Sequence, residues 1–157
     1  MKKGMFIVLL MFTMHMFSQV EEPRVISLLS SNAVITTELK DLDATHVNLL
    51  NPNVSDRKFE EVLNSWTQLH QELNSFLKGK KFRWETKSKK IKMYNRFYFD
   101  NEGNITVFAF RFFNNISPQK ENEFLNLMKD FTKKHKIRIK RREKFAQCGK
   151  ISLPNNL

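Results

Sequence analysis

The stretch KMYNRFYFDNEGNITVFAFRFF, residues 92–113, decides how this chain is read. A strand with one buried face alternates apolar and polar residues, because successive side chains point to opposite faces. Here aromatic residues occupy both parities on either side of DNEGN, so alternation alone does not choose the core face. The turn supplies a register. Asp100-Asn101-Glu102-Gly103 suits a type I turn followed by a left-handed glycine, the three-residue hairpin loop with a bulge at the glycine. Such a loop sets Asp100 opposite Asn104 and Phe99 opposite Ile105. With pairing uninterrupted beyond it, odd-numbered residues share a face. Ile91, Met93, Asn95, Phe97, Phe99, Ile105, Val107, Ala109, Arg111 and Phe113 then form the core floor. The other face carries the pairs Lys92/Phe112, Tyr94/Phe110, Arg96/Phe108 and Tyr98/Thr106, with cations and rings interleaved within cross-strand reach.

The flanks supply the rest of a small α+β domain. Phe59, Val62, Leu63, Trp66, Leu69, Leu73, Phe76 and Leu77 recur at intervals of three and four, which predicts a helix capped by Ser55 or Asp56. Gly79 is expected to take the left-handed position at its C-terminus. A second helix is expected from Ser117, with Pro118 at its first position and Phe124, Leu127 or Met128, and Phe131 inward. KFRWETK, KIRIK and AQCGKISL read as strands, and in residues 20–52 so do VISLL and NAVITTEL. The expected architecture is two amphipathic helices packed on one face of a mainly antiparallel sheet of about five strands.

The chain opens Met-Lys-Lys-Gly and continues MFIVLLMFTMHMF to Phe17. That apolar run is shorter than the roughly 20 residues a spanning helix needs. A short basic region followed by such a run reads as a cleaved secretory signal over residues 1–19, with an uncleaved N-terminal anchor as the alternative, leaving 20–157 as one exported domain. Export predicts a periplasmic or secreted location with no transmembrane span after cleavage. Cys148 is the only cysteine, so an intramolecular disulfide is excluded, and burial of the thiol is the expectation.

Charge is unevenly placed. Residues 1–77 hold 6 Lys/Arg and 9 Asp/Glu, whereas residues 78–157 hold 21 and 7. The basic half calls for an acidic partner, and in an exported chain that means an anionic envelope component, a glycan or an acidic protein rather than nucleic acid. The candidate binding residues are Lys92, Tyr94, Arg96, Tyr98, Phe108, Phe110 and Phe112 of the aromatic face, with Lys136, Arg138 and Lys140 of the run KKHKIRIKRREK. Tyr and Arg are the residue types that dominate binding hot spots. Two ordinary readings stand beside this one. Residues 20–52 can fold across the aromatic face and bury it as a second core, and the lysines of 136–140 can guard a sheet edge.

Catalytic and metal chemistry find no motif. His46, His70 and His135 lack the spacing of metal ligands, Asp41 and Asp43 form a weak carboxylate pair, and no cofactor is implied. DNEGN lacks the spacing of a calcium loop. The sequence therefore reads as a non-enzymatic binding or accessory domain. The alternatives are a small envelope hydrolase or transferase with no assignable site, and a structural subunit using the aromatic face as an oligomer interface.

Overall fold

In the computed structural model, which describes residues 22–29, 33–50 and 59–155, the DNEGN turn forms as its residues demand. Gly103 adopts φ +87°, Asp100 N donates to Asn104 O at 3.0 Å, and Gly103 N donates to Asp100 O at 3.2 Å. The Asp100 carboxylate accepts from the Glu102 and Asn104 amides at 2.9 and 2.8 Å and so reinforces the turn from its side chain. The turn joins β3 (Lys90–Phe99) to β4 (Ile105–Phe112), and Phe99 stands opposite Ile105.

The expected pairing ends at that residue. Tyr98 pairs with Val107, because Thr106 is an extra residue in β4. Its hydroxyl donates to Tyr98 O at 3.1 Å. A one-residue bulge reverses the parity of everything beyond it. Phe108, Phe110 and Phe112 therefore stand opposite Phe97, Asn95 and Met93 and share their face. The pairs Lys92/Phe112, Tyr94/Phe110 and Arg96/Phe108 do not exist, and the aromatic face expected from them is divided between two sides of the sheet.

Five strands are ordered β1-β4-β3-β5-β2, with β1 at Arg24–Ser27, β2 at Val47–Asn48 and β5 at Phe145–Pro154. The sheet is mixed rather than mainly antiparallel. Central β3 is antiparallel to β4 and β5, whereas the edge strands β1 and β2 run parallel to β4 and β5. The helices α2 (Phe59–Gly79) and α3 (Pro118–Lys134) cover one face. There Val62, Trp66, Leu69, Leu73 and Leu77 of α2 meet Ile91, Met93, Phe97, Phe108, Phe110 and Phe112 of the sheet, with Phe124, Met128 and Phe131 of α3. Phe124 alone lies within ring-contact distance of Phe82, Trp84, Phe108, Phe110 and Phe112. Burial of so many rings explains why the bulge is tolerated: it gathers both phenylalanine series into one core.

NAVITTEL is not a strand. Residues Ala33–Thr45 form α1, and it lies on the opposite face of the sheet from α2 and α3. Ile35, Leu39 and Leu42 pack there against Ile26, Tyr98, Val107, Ala109 and Ala146. The β-branched run favours a strand by propensity, but this apolar face needs a cover. Thr37 Oγ1 and Thr45 Oγ1 donate to the carbonyls of Ala33 and Asp41 four residues back, at 3.0 and 3.1 Å, which suits a helix.

KFRWETK and KIRIK form no strand either, although their apolar residues point inward. Phe82, Trp84, Ile137 and Ile139 are all buried. Residues 137–141 instead strap the hairpin turn, with Ile137 N donating to Gly103 O and Arg141 N to Asn101 O, both at 3.0 Å. The end of α2 differs in detail as well. Lys81, not Gly79, takes the left-handed conformation at φ 55°. Phe82 N donates to Leu77 O at 3.0 Å and Lys81 N to Lys78 O at 2.9 Å, a Schellman closure with lysine in the usual glycine position. Ser117 caps α3 as expected, accepting from Lys120 N at 3.3 Å ahead of Pro118. The signal at 1–19 and the caps Ser55 and Asp56 lie outside the described residues. No described helix is long and apolar enough to cross a membrane.

Candidate functional site

The second sheet face is covered over only part of its length. At its turn end α1 buries Tyr98 and Ala109 completely. Its last turn carries Asp43, which accepts a hydrogen bond from the Tyr98 hydroxyl at 2.6 Å and pairs with Arg96 at 2.5 Å. The Arg96 guanidinium also lies 5.3 Å from the Tyr98 ring centre. His46 meets that ring edge-on at 5.3 Å and is bonded through Nδ1 to Leu42 O, and burial lowers its pKa. Arg96, Tyr98 and Asp43 thus lock α1 to the sheet. Burial, followed by the hydrogen bond to Asp43, raises the Tyr98 pKa.

Past α1 the face opens. The register aligns Arg111 of β4, Tyr94 of β3 and Lys150 of β5 in one cross-strand row. Lys92 and Ser152 lie opposite each other two residues further along the strands, and Phe113 N donates to Lys92 O at 2.9 Å. Phe113 is 48% exposed, and both Arg111 and Lys150 approach its ring, at 5.8 and 5.5 Å from the centroid. A cleft of about 480 Å³ runs from this row to α1, between Leu28, Leu39, Lys40, Tyr94, Arg111 and Phe113. Asp43 also lines it, but that carboxylate is already engaged by Arg96 and Tyr98. No ion pair among the described residues involves Lys40, Lys92, Arg111 or Lys150. Lysine and arginine side chains left without carboxylates around two rings make an electropositive, partly apolar surface. Tyr94 is held beside Cys148, and burial followed by that hydrogen bond raises its pKa to about 12. Cys148 is partly exposed as a residue, whereas full burial was expected.

The ten residues read from sequence fall into three places. Lys92, Tyr94, Arg96 and Tyr98 do share the second face, but only Lys92 and Tyr94 belong to its open part. Phe108, Phe110 and Phe112 lie on the opposite face, in the main core, at 0%, 0% and 4% exposure. Lys136, Arg138 and Lys140 are exposed on the other side of the molecule, where the basic run lies against α2 and the turn. Two of them have intramolecular partners: Arg138 pairs with Glu72 at 3.4 Å and Lys140 with Glu102 at 2.5 Å.

Residues missed from sequence are Lys40, Arg111, Phe113 and Lys150. Arg111 and Phe113 were assigned to the core floor by the uninterrupted register, and the bulge moves them. Lys150 had no register at all, because the long connection before β5 fixes none.

Each described histidine is bonded through Nδ1 to the carbonyl four residues before it. His70 donates from Nδ1 to Trp66 O at 2.8 Å and accepts at Nε2 from Asn95, 2.6 Å away, inside the core. His135 caps α3 and stacks on Phe131. Among the described residues no three His, Cys, Asp or Glu side chains converge as a metal would require. No protein-family model, curated protein or solved structure matches the chain.

Proposed function

We propose that this chain is an exported, non-enzymatic binding domain that takes an anionic partner on the open part of the second sheet face. One observation carries the reading: Arg111, Tyr94 and Lys150 stand in one row beside exposed Phe113, and no carboxylate of the described residues neutralises the cations. Strand spacing of about 4.8 Å puts the two outer backbones of that row about 9–10 Å apart. An anion, or a pair of anions, can therefore be held over Tyr94 from both sides. The basic 136–140 run is the weaker candidate, since Glu72 and Glu102 already satisfy Arg138 and Lys140. Use of the open face as an interface between copies is disfavoured, because a two-fold contact would bring Arg111 and Lys150 against their own equivalents.

Elution of the purified protein from a sulfated matrix tests this. Arg111→Glu with Lys150→Glu should lower the salt needed for elution well below the effect of Lys136→Glu with Arg138→Glu, an equal change in net charge. Equal shifts would reduce the interaction to overall charge and remove the face from consideration.

A further inference from the structure

KGKKFRWETKSKK, residues 78–90, runs from the end of α2 into β3 and carries seven cations against one carboxylate. All seven cations are exposed. Phe82 and Trp84 point the other way, into the main core, at 3% and 2% exposure, so Lys81 and Arg83 alternate outward. Carboxylates leave this charge largely in place. Glu85, at φ 54°, reaches Lys120 Nζ at 2.9 Å and is engaged there. Of the seven cations only Lys80 has an ion pair among the described residues, with Asp130 at 4.0 Å. In the other basic run, residues 133–144, Lys133, Arg138, Lys140 and Arg141 all pair with glutamates. The cations of 78–90 also sit on a fixed backbone. Phe82 N closes the end of α2 on Leu77 O, and Asn155 Nδ2 donates to Thr86 O and Ser88 O at 2.8 and 2.9 Å. Asn155 N meets Lys89 O at 3.0 Å, and Asn114 Nδ2 meets Ser88 Oγ at 3.1 Å. A partner therefore meets the charges already arrayed and does not have to order the chain that carries them.

We infer that residues 78–90 are a docking surface for a bilayer of anionic phospholipid. Six of the seven cations are lysines. Their compact, hydrated ammonium groups attract phosphate headgroups without demanding one geometry, whereas two-pronged recognition of a single phosphate is the task arginine suits. Both rings of the segment are buried, so it offers no platform on which a base or a sugar could stack. Cations spread over thirteen residues are matched by an extended anionic surface rather than by one small ligand. None of them belongs to the row of Arg111, Tyr94 and Lys150, and the docking surface stands whether or not that row takes an anion.

Co-sedimentation of the full chain with vesicles tests this. The vesicles are phosphatidylcholine alone or an equimolar mixture with phosphatidylglycerol, each at low and at high salt. The apolar run at residues 5–17 is common to every variant and meets both lipids, so the ratio of the two partition coefficients isolates the electrostatic part. That ratio should favour the mixed vesicles and fall with salt. Arg83→Gln with Lys87→Gln and Lys89→Gln should lower it about a hundredfold, since each cation held near an anionic bilayer contributes about fivefold. Lys136→Gln with Arg138→Gln and Lys140→Gln, an equal change in charge, should lower it far less, as should Arg111→Gln with Lys150→Gln. Thermal unfolding confirms that each variant folds. A ratio near one for the unaltered chain overturns the inference. An equal fall in the 136–140 variant reduces the effect to net charge and overturns it too. A fall confined to the Arg111 and Lys150 variant moves the lipid to the open face and removes it from residues 78–90. Complete displacement from the mixed vesicles by a DNA duplex of equal phosphate content would make the segment a nucleic-acid surface instead.

Discussion

Tyr98 stands opposite Val107, and Thr106 has no register partner on β3. That single unpaired residue decides which side chains are core and which are surface, because it turns Phe108, Phe110 and Phe112 towards α2 and α3 and turns Arg111 towards solvent. The consequence is measurable. Phe110→Ala should cost about 3–5 kcal/mol, as truncation of a fully buried ring does. Tyr94→Ala, on the half-covered second face, should cost under about 1.5 kcal/mol. Urea unfolding of the two variants checks the assignment. An uninterrupted hairpin would make the two costs alike, since Tyr94 and Phe110 would then form one pair.

The parts of this fold that local chemistry specifies were legible, and those set at a distance were not. The DNEGN turn, the Ser117-Pro118 cap and the α2 helix each depend on neighbours in sequence and stand where they were expected, although Phe59 and Leu63 of the expected α2 stripe are exposed. The Thr106 bulge depends on what fills the core above it. Nothing within residues 92–113 says that Phe124 of α3 waits for three phenylalanines. The same limit governs the site. Lys92 and Tyr94 follow from the parity of β3 alone, whereas Arg111 and Phe113 follow only once the bulge is known. Residues 33–45 read as a strand because Val34, Ile35, Thr36 and Thr37 favour one. Their place over Tyr98 and Val107 makes them a helix.

Two backbone positions should respond in opposite directions. At Gly103 a Cβ would come within 2.5 Å of Ile137 O and 2.7 Å of Ile139 O, at a φ that side chains rarely adopt. Gly103→Ala is therefore expected to destabilise the protein by about 2–4 kcal/mol and to loosen residues 137–141 from the turn. Lys81 occupies a left-handed position without the freedom of glycine, so Lys81→Gly should stabilise it by about 0.5–1 kcal/mol. Paired thermal melts are sufficient to see both, and a stabilised Gly103→Ala would contradict the strap.

Tyr94 and Tyr98 are the only tyrosines in the chain, and both resist ionisation. Burial is the larger cause for each, followed by the Cys148 and Asp43 hydrogen bonds respectively. Tyrosinate absorbance of the native protein should therefore stay flat through about pH 10, the ordinary tyrosine pKa, and rise only well beyond it. Since the folded pKa lies above the unfolded one, the stabilisation is present below about pH 10 and is lost as pH climbs towards the folded value. Tyr98→Phe should cost about 1–2 kcal/mol at neutral pH, because Asp43 loses the hydroxyl donor and keeps only Arg96. An ordinary titration near pH 10 in the folded protein would show that α1 does not seal the Tyr98 end of the face.

On the acid side the response comes from the core. His70 is neutral between Trp66 O and the Asn95 amide, and burial holds its pKa below the usual histidine value of about 6.5. Protonation would place an N–H on Nε2 directly against the Asn95 amide nitrogen, which is already a donor. The unfolded chain binds that proton more readily, so the stability is complete above about pH 6.5 and falls as pH drops through and below it. His46, lowered by burial in the second core, contributes with the same sign. His70→Gln should flatten part of the loss between about pH 7 and pH 5, and His46→Gln a further part, measured by urea unfolding at each pH. Should the slope persist in the double variant, carboxylates rather than these two imidazoles would govern acid stability, and the neutral His70–Asn95 contact would lose its role in holding α2 to β3.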